Sequence, residues 1–140
     1  MKLWITALAA LLLLTGCGSP GSQASTVGAD QPAAVFRQVS TADAAAIMES
    51  ETGYLIVDVR TQEEYAQAHI PGAICIPNET IGSGEIPELP DKNQLLLIYC
   101  RSGNRSKQAS EKLVKLGYTN VVEFGGINSW TGEIVSGSEG

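Results

Sequence analysis

Cys100 heads the run Cys100-Arg101-Ser102-Gly103-Asn104-Arg105-Ser106, whose residue types and spacing suit a nucleophilic thiolate. A cysteine attacks as its anion, and that anion is favoured by nearby cations and by backbone N–H groups converging at a helix N-terminus. The turn after Cys100 is short, polar and glycine-containing, so the N–H groups of residues 101–106 can curl round one point. A following helix adds about half a positive charge there. Arg101 and Arg105 bring two full charges. The bland alternative is a small apolar residue closing a buried strand. It accounts for the residues before Cys100 but not for Arg-Ser-Gly-Asn-Arg after it, which is a poor core sequence.

The elements that must hold this loop are legible on either side. Leu95-Leu96-Leu97-Ile98-Tyr99 has no polar alternation and reads as a strand buried on both faces, ending at the cysteine. Ala109, Leu113 and Leu116 recur at helical spacing, so residues 106–116 read as a helix closed by Gly117. Further strands are predicted at 35–39, 54–57, 73–76 and 121–123, with a helix over 41–50 capped by Ser40. A brief helix from Thr61 to about residue 68 starts at a capping box with Glu64. Residues 77–93 read as irregular with one helical turn, and 126–130 as the start of a last turn. Strands alternating with helices argue for an α/β layered fold with a mainly parallel sheet, and ligands in such sheets sit at the carboxyl ends of the strands.

Tyr99-Cys100-Arg101-Ser102-Gly103-Asn104-Arg105-Ser106 resembles the active-site loop of single-domain rhodaneses, a sulfurtransferase family. Three other stretches resemble the same family in the same order. They are Asp58-Val59-Arg60 with Glu63-Glu64-Tyr65, His69-Ile70-Pro71-Gly72-Ala73 leading to Ile76-Pro77, and Gly125-Gly126 with Trp130. The resemblance implies a three-layer α/β/α fold with a mainly parallel five-stranded sheet and no cofactor. It implies that Cys100 carries a persulfide, with Arg101, Ser102, Gly103, Asn104 and Arg105 binding the substrate. Its partners would be a small anionic sulfur donor, such as thiosulfate, and a cyanide or thiol acceptor. Two other readings are open. Cysteine phosphatases and arsenate reductases have loops resembling C-x5-R, whereas only four residues separate Cys100 from Arg105. A non-enzymatic sulfur- or redox-sensing module would also keep the cysteine.

Asp58 and Arg60 close a strand where loops cross, and they read as structural residues near the site, paired with Glu63 or Glu64 and with loop amides. His69 is the single histidine, and its turn-like flanks favour a structural role, since attack by a thiolate needs no base. Cys75 reads as a buried, inert thiol, with a disulfide to an oxidised Cys100 as the sharper possibility. No metal site is expected: there is no C-x-x-C and no second histidine.

Ahead of the domain, Met1-Lys2 and an apolar run over residues 3–14 have the form of a signal peptide, too short to span a bilayer. Leu14-Thr15-Gly16-Cys17 resembles the lipobox of bacterial lipoproteins. On that resemblance residues 1–16 are removed and Cys17 carries lipid, anchoring the chain extracytoplasmically in the bacterial cell envelope. Residues 17–34 then form a flexible tether, 35–132 the rhodanese-like domain and 133–140 a disordered tail. The full chain has a net charge of −6. Without Lys2, eight Lys and Arg face fifteen Asp and Glu, for −7. An acidic chain without a basic run has no nucleic-acid footprint, and nothing in the sequence demands more than a monomer.

Overall fold

A computed structural model describes residues 35–138. The signal peptide, Cys17 and the tether lie outside the described residues, as do the last two residues. The chain runs β1 (Arg37–Gln38), α1 (Thr41–Ser50), β2 (Leu55–Asp58), α2 (Gln62–Gln67), β3 (Ala73–Cys75), β4 (Leu96–Cys100), α3 (Asn104–Lys115) and β5 (Val121–Gly126). Single 3-10 turns at Asn78–Thr80 and Ile127–Ser129 punctuate it. The five strands form one parallel sheet in the order β1-β5-β4-β2-β3.

Strand alternation divides the core into two layers. On β4, Leu96, Ile98 and Cys100 face α3, packing with Val57, Ala109 and Leu113. Leu97 and Tyr99 face the other way, towards Ala44 of α1 and Tyr65 of α2. All five β4 residues are buried, as the unbroken apolar run requires. The fold is therefore the expected three-layer α/β/α arrangement, with Cys100 at the carboxyl end of the central strand.

Both N-terminal helix starts are fixed locally. The Ser40 hydroxyl accepts from the Asp43 N–H while the Asp43 carboxylate accepts from Ser40, and Thr61 and Glu64 repeat the arrangement on α2. β5 runs three residues beyond its predicted end. Its pairing with β4 passes from Ile98↔Glu123 to Cys100↔Gly126, so β5 carries one extra residue opposite the site. Gly125 takes up the strain at φ +85°.

The tail differs from expectation. Val135 exchanges both backbone hydrogen bonds with His69, at 2.8 and 2.9 Å, and the Gly137 N–H donates to Ala66 at 2.9 Å. His69 is fully buried, so its backbone groups need partners, and a distant segment supplies them. Composition alone does not register such a demand.

Candidate active site

β4 ends by pushing the Cys100 sulfur under the loop that starts α3. The turn needs Gly103 in the left-handed region, at φ +106°, and the Gly103 N–H then donates to Cys100 Sγ at 3.0 Å. Ser106, one turn into α3, places Oγ 3.5 Å from the same sulfur. Burial pushes the thiol up. The Ser106 hydroxyl and the N–H groups of Ser106, Gly103 and Ser102 outweigh burial and hold it below the ordinary cysteine value. Cys100 is only 1% exposed, so its sulfur lies at the floor of the cradle.

The cradle is braced from β5. A Cβ on Gly126 would lie 2.1 Å from the Arg101 carbonyl oxygen and 2.5 Å from the Ser102 nitrogen, so only glycine fits there. The Asn128 N–H donates to that same carbonyl at 3.2 Å. The extra residue in β5 is what brings this backbone against the loop.

The charges are arranged differently from the sequence expectation. Arg105 does not point a free guanidinium at the sulfur; its fork is closed on Glu64 of α2, at 2.6 and 2.9 Å. It raises the potential around Cys100 only from that engaged position. Arg101 is exposed and makes no ion pair among the described residues. It lines a cleft of about 190 Å³ with Glu64 and Gln67 of α2, Ala68 just after it, and Ile127 and Asn128. Between the two arginines in the chain, Ser102 and Asn104 are exposed and Gly103 is buried.

The Arg105 hydrogen bonds hold the Glu64 carboxyl down to about 2, against burial, with help from the Thr61 N–H. A carboxyl depressed in the folded state adds stability above its unfolded value of 4.5, and that stability is lost as pH falls toward about 2. Resistance to thermal unfolding should therefore fall between those two values in the wild type, and Glu64→Gln should remove that component. Matching acid profiles in the two proteins would discount the pair.

Asp58 and Arg60 lie beside the site, but as each other's partner and not bound to Glu63 or Glu64. Asp58 is fully buried and accepts from Arg60 Nη2 at 2.6 Å, from Nε at 2.9 Å and from the Arg60 backbone N–H at 3.0 Å. Arg60 Nη2 also donates to the Ala68 carbonyl at 2.6 Å, tying the end of β2 to the end of α2. The physical reason is proximity: residues two apart across a strand end meet without any loop having to travel. Glu64 is taken by Arg105. His69 stacks on Tyr65 at 3.8 Å with Nδ1 2.8 Å from the Tyr65 carbonyl oxygen, away from the sulfur.

Cys75 cannot bond to Cys100. In register Cys75 and Tyr99 both flank Asp58 from opposite sides, so two strand spacings, about 9–10 Å, separate their backbones. A disulfide needs Cα atoms within about 7 Å. The two thiols also face opposite layers, and both are free. Burial pushes Cys75 up to about 11, leaving it unreactive.

Sequence reasoning passed over three groups here: Ser106 as the partner of the sulfur, Glu64 as the partner of Arg105, and Glu123. The last had a visible signal, a carboxyl inside the apolar run Val121-Val122-Glu123-Phe124.

A family model described as the rhodanese-like domain matches residues 40–133. The thiosulfate sulfurtransferase PspE of Escherichia coli is 42% identical over 71 residues, 51% of this chain and 68% of that protein. A sulfurtransferase of Allochromatium vinosum is 44% identical over 77 residues, 54% of this chain and 70% of its own length. Some longer curated relatives are spanned for as little as 20% of their length. Among solved structures, a rhodanese with anions from E. coli superposes with a TM-score of 0.56 at 38% identity, covering 60% of this chain and 99% of that one.

Proposed function

Because this chain belongs to the rhodanese-like sulfurtransferase family, we propose that it moves sulfane sulfur from thiosulfate to cyanide or a thiol through a persulfide on Cys100. The observation that carries this reading is the sulfur's own surroundings: a Gly103 N–H at 3.0 Å and Ser106 Oγ at 3.5 Å at the start of α3. With only four residues between Cys100 and Arg105, the loop is small and suits one further sulfur atom. The Cys100 thiolate attacks the outer sulfur of thiosulfate, the S–S bond of the donor breaks, and sulfite leaves with the electron pair. The terminal persulfide sulfur carries the negative charge among fixed N–H dipoles, which need no reorganisation to receive it. Cyanide or a thiolate then attacks that sulfur, and Cys100 returns as a thiolate. Arg101, facing the cleft beside the loop, draws the anionic donor in, while Arg105 holds the loop to α2.

The test is steady turnover of thiosulfate and cyanide together with one added sulfur on Cys100 by mass spectrometry. Stoichiometric oxidation of Cys100 without turnover would overturn the enzyme in favour of a sensing module.

We further infer that the domain works from a membrane surface in the cell envelope, held by lipid on Cys17. The support is the order Met1-Lys2, apolar run, Leu14-Thr15-Gly16-Cys17. The mature protein should begin at Cys17 with the mass of added acyl chains, and an unmodified mature N-terminus would refute the anchor.

A further inference from the structure

Glu123 is a carboxyl buried beneath the cradle. It sits on β5 with Val121 on the α3 side of the sheet, 2% exposed. Its Oε1 accepts from the Gly125 N–H at 2.8 Å and lies 2.5 Å from Ser106 Oγ, while its Oε2 accepts from Gln38 Nε2 of β1 at 3.2 Å. Among the described residues it forms no salt bridge. An ionised carboxyl left in such a place without a cation is costly.

A serine hydroxyl has one hydrogen to give. Around Ser106 Oγ stand the Glu123 carboxyl at 2.5 Å, the Gly103 carbonyl at 3.0 Å, the Gly125 carbonyl at 3.2 Å and the Cys100 sulfur at 3.5 Å. No N–H group donates to that oxygen among the hydrogen bonds of the described residues. Its lone pairs can be filled only by a proton on Cys100 or by one on Glu123. Two arrangements satisfy the geometry. In one, the thiol donates to Ser106 and Ser106 donates to the Glu123 carboxylate. In the other, a protonated Glu123 donates to Ser106 and Ser106 donates to the Cys100 thiolate.

We propose that Glu123 is a positioning residue that accepts the Cys100 proton through the Ser106 hydroxyl and holds it while Cys100 carries sulfur. This rests on Cys100 being the sulfur carrier. In the exchange the Sγ–H bond breaks as an Oγ–H bond forms on Ser106, and the former Ser106 hydrogen passes to Glu123 Oε1. One proton moves and the buried cluster keeps one negative charge throughout. That charge passes from Glu123, which has few donors, to the sulfur, which has the loop N–H groups. The other charged groups facing the sulfur are Arg105 and, bonded to it, Glu64; Glu123 is otherwise faced by Gln38, Ser106 and Gly125. With the proton stored on Glu123, both halves of the sulfur transfer proceed without exchange of a proton with water.

Two measurements on the full chain test this. The rate of Cys100 alkylation by iodoacetamide should hold a plateau as pH falls through the acid range, because thiol and carboxyl share one proton. In Glu123→Gln and in Ser106→Ala the rate should instead fall about tenfold per pH unit below the midpoint of the thiol. Independently of any variant, infrared spectra of the wild-type persulfide at neutral pH should contain the carbonyl stretch of a protonated carboxyl, displaced by 13C-glutamate labelling. Persulfide present without that band would overturn the relay and leave the sulfurtransferase reading standing. Failure to form any persulfide on Cys100 would overturn the reading beneath it.

Discussion

Cys100→Ser should abolish thiocyanate formation from thiosulfate and cyanide, with an expected loss of at least about a thousandfold, typical of removing a covalent nucleophile. The serine hydroxyl fits the same niche, since the Gly103 N–H and Ser106 can both hydrogen-bond to it. The fold should therefore persist while the chemistry disappears, because an alcohol at this position is not ionised and cannot hold sulfane sulfur. The same variant should take up no sulfur in the mass spectrum after thiosulfate treatment. Retention of more than about a tenth of the activity in an otherwise folded variant would place the chemistry elsewhere.

Arg60→Ala should produce the largest loss of stability, about 3–5 kcal/mol, because it leaves the fully buried Asp58 carboxylate without its cation. A small domain has roughly 5–15 kcal/mol to lose, so the variant should sit close to unfolding at ambient temperature. The urea midpoint reads this directly. Replacing both partners by apolar residues should recover much of the loss, since a missing pair is tolerated far better than half of one. A single variant that shifts stability by less than about 1 kcal/mol would mean that water or another residue takes over the bonds to Asp58.

The parts of this molecule that sequence reveals are those set by neighbours along the chain. Ser40 and Thr61 mark helix starts because each cap is completed three residues later. The strand before Cys100 is legible because burial on both faces leaves no room for a polar residue. Closure of Arg105 on Glu64 spans 41 positions, and two isolated charges in a sequence say nothing of which will meet. The Ser106–Glu123 contact spans 17 and joins α3 to a neighbouring strand. The bridge from Val135 to His69 answers a need created by burial, which exists only after the chain has folded. Local rules pick out Cys100 as the candidate nucleophile; Glu123, which meets it through Ser106, and Glu64, which holds Arg105, come from elsewhere in the chain.

Placing Cys75 and Cys100 on opposite layers, two strands apart, has a chemical consequence for damage. If peroxide converts the sulfur of Cys100 to a sulfenic acid, no second thiol among the described residues can reach it to expel water. Repair then falls to a thiol from another molecule, small enough or slender enough to enter past Arg101, and until it arrives further oxygen can be added irreversibly.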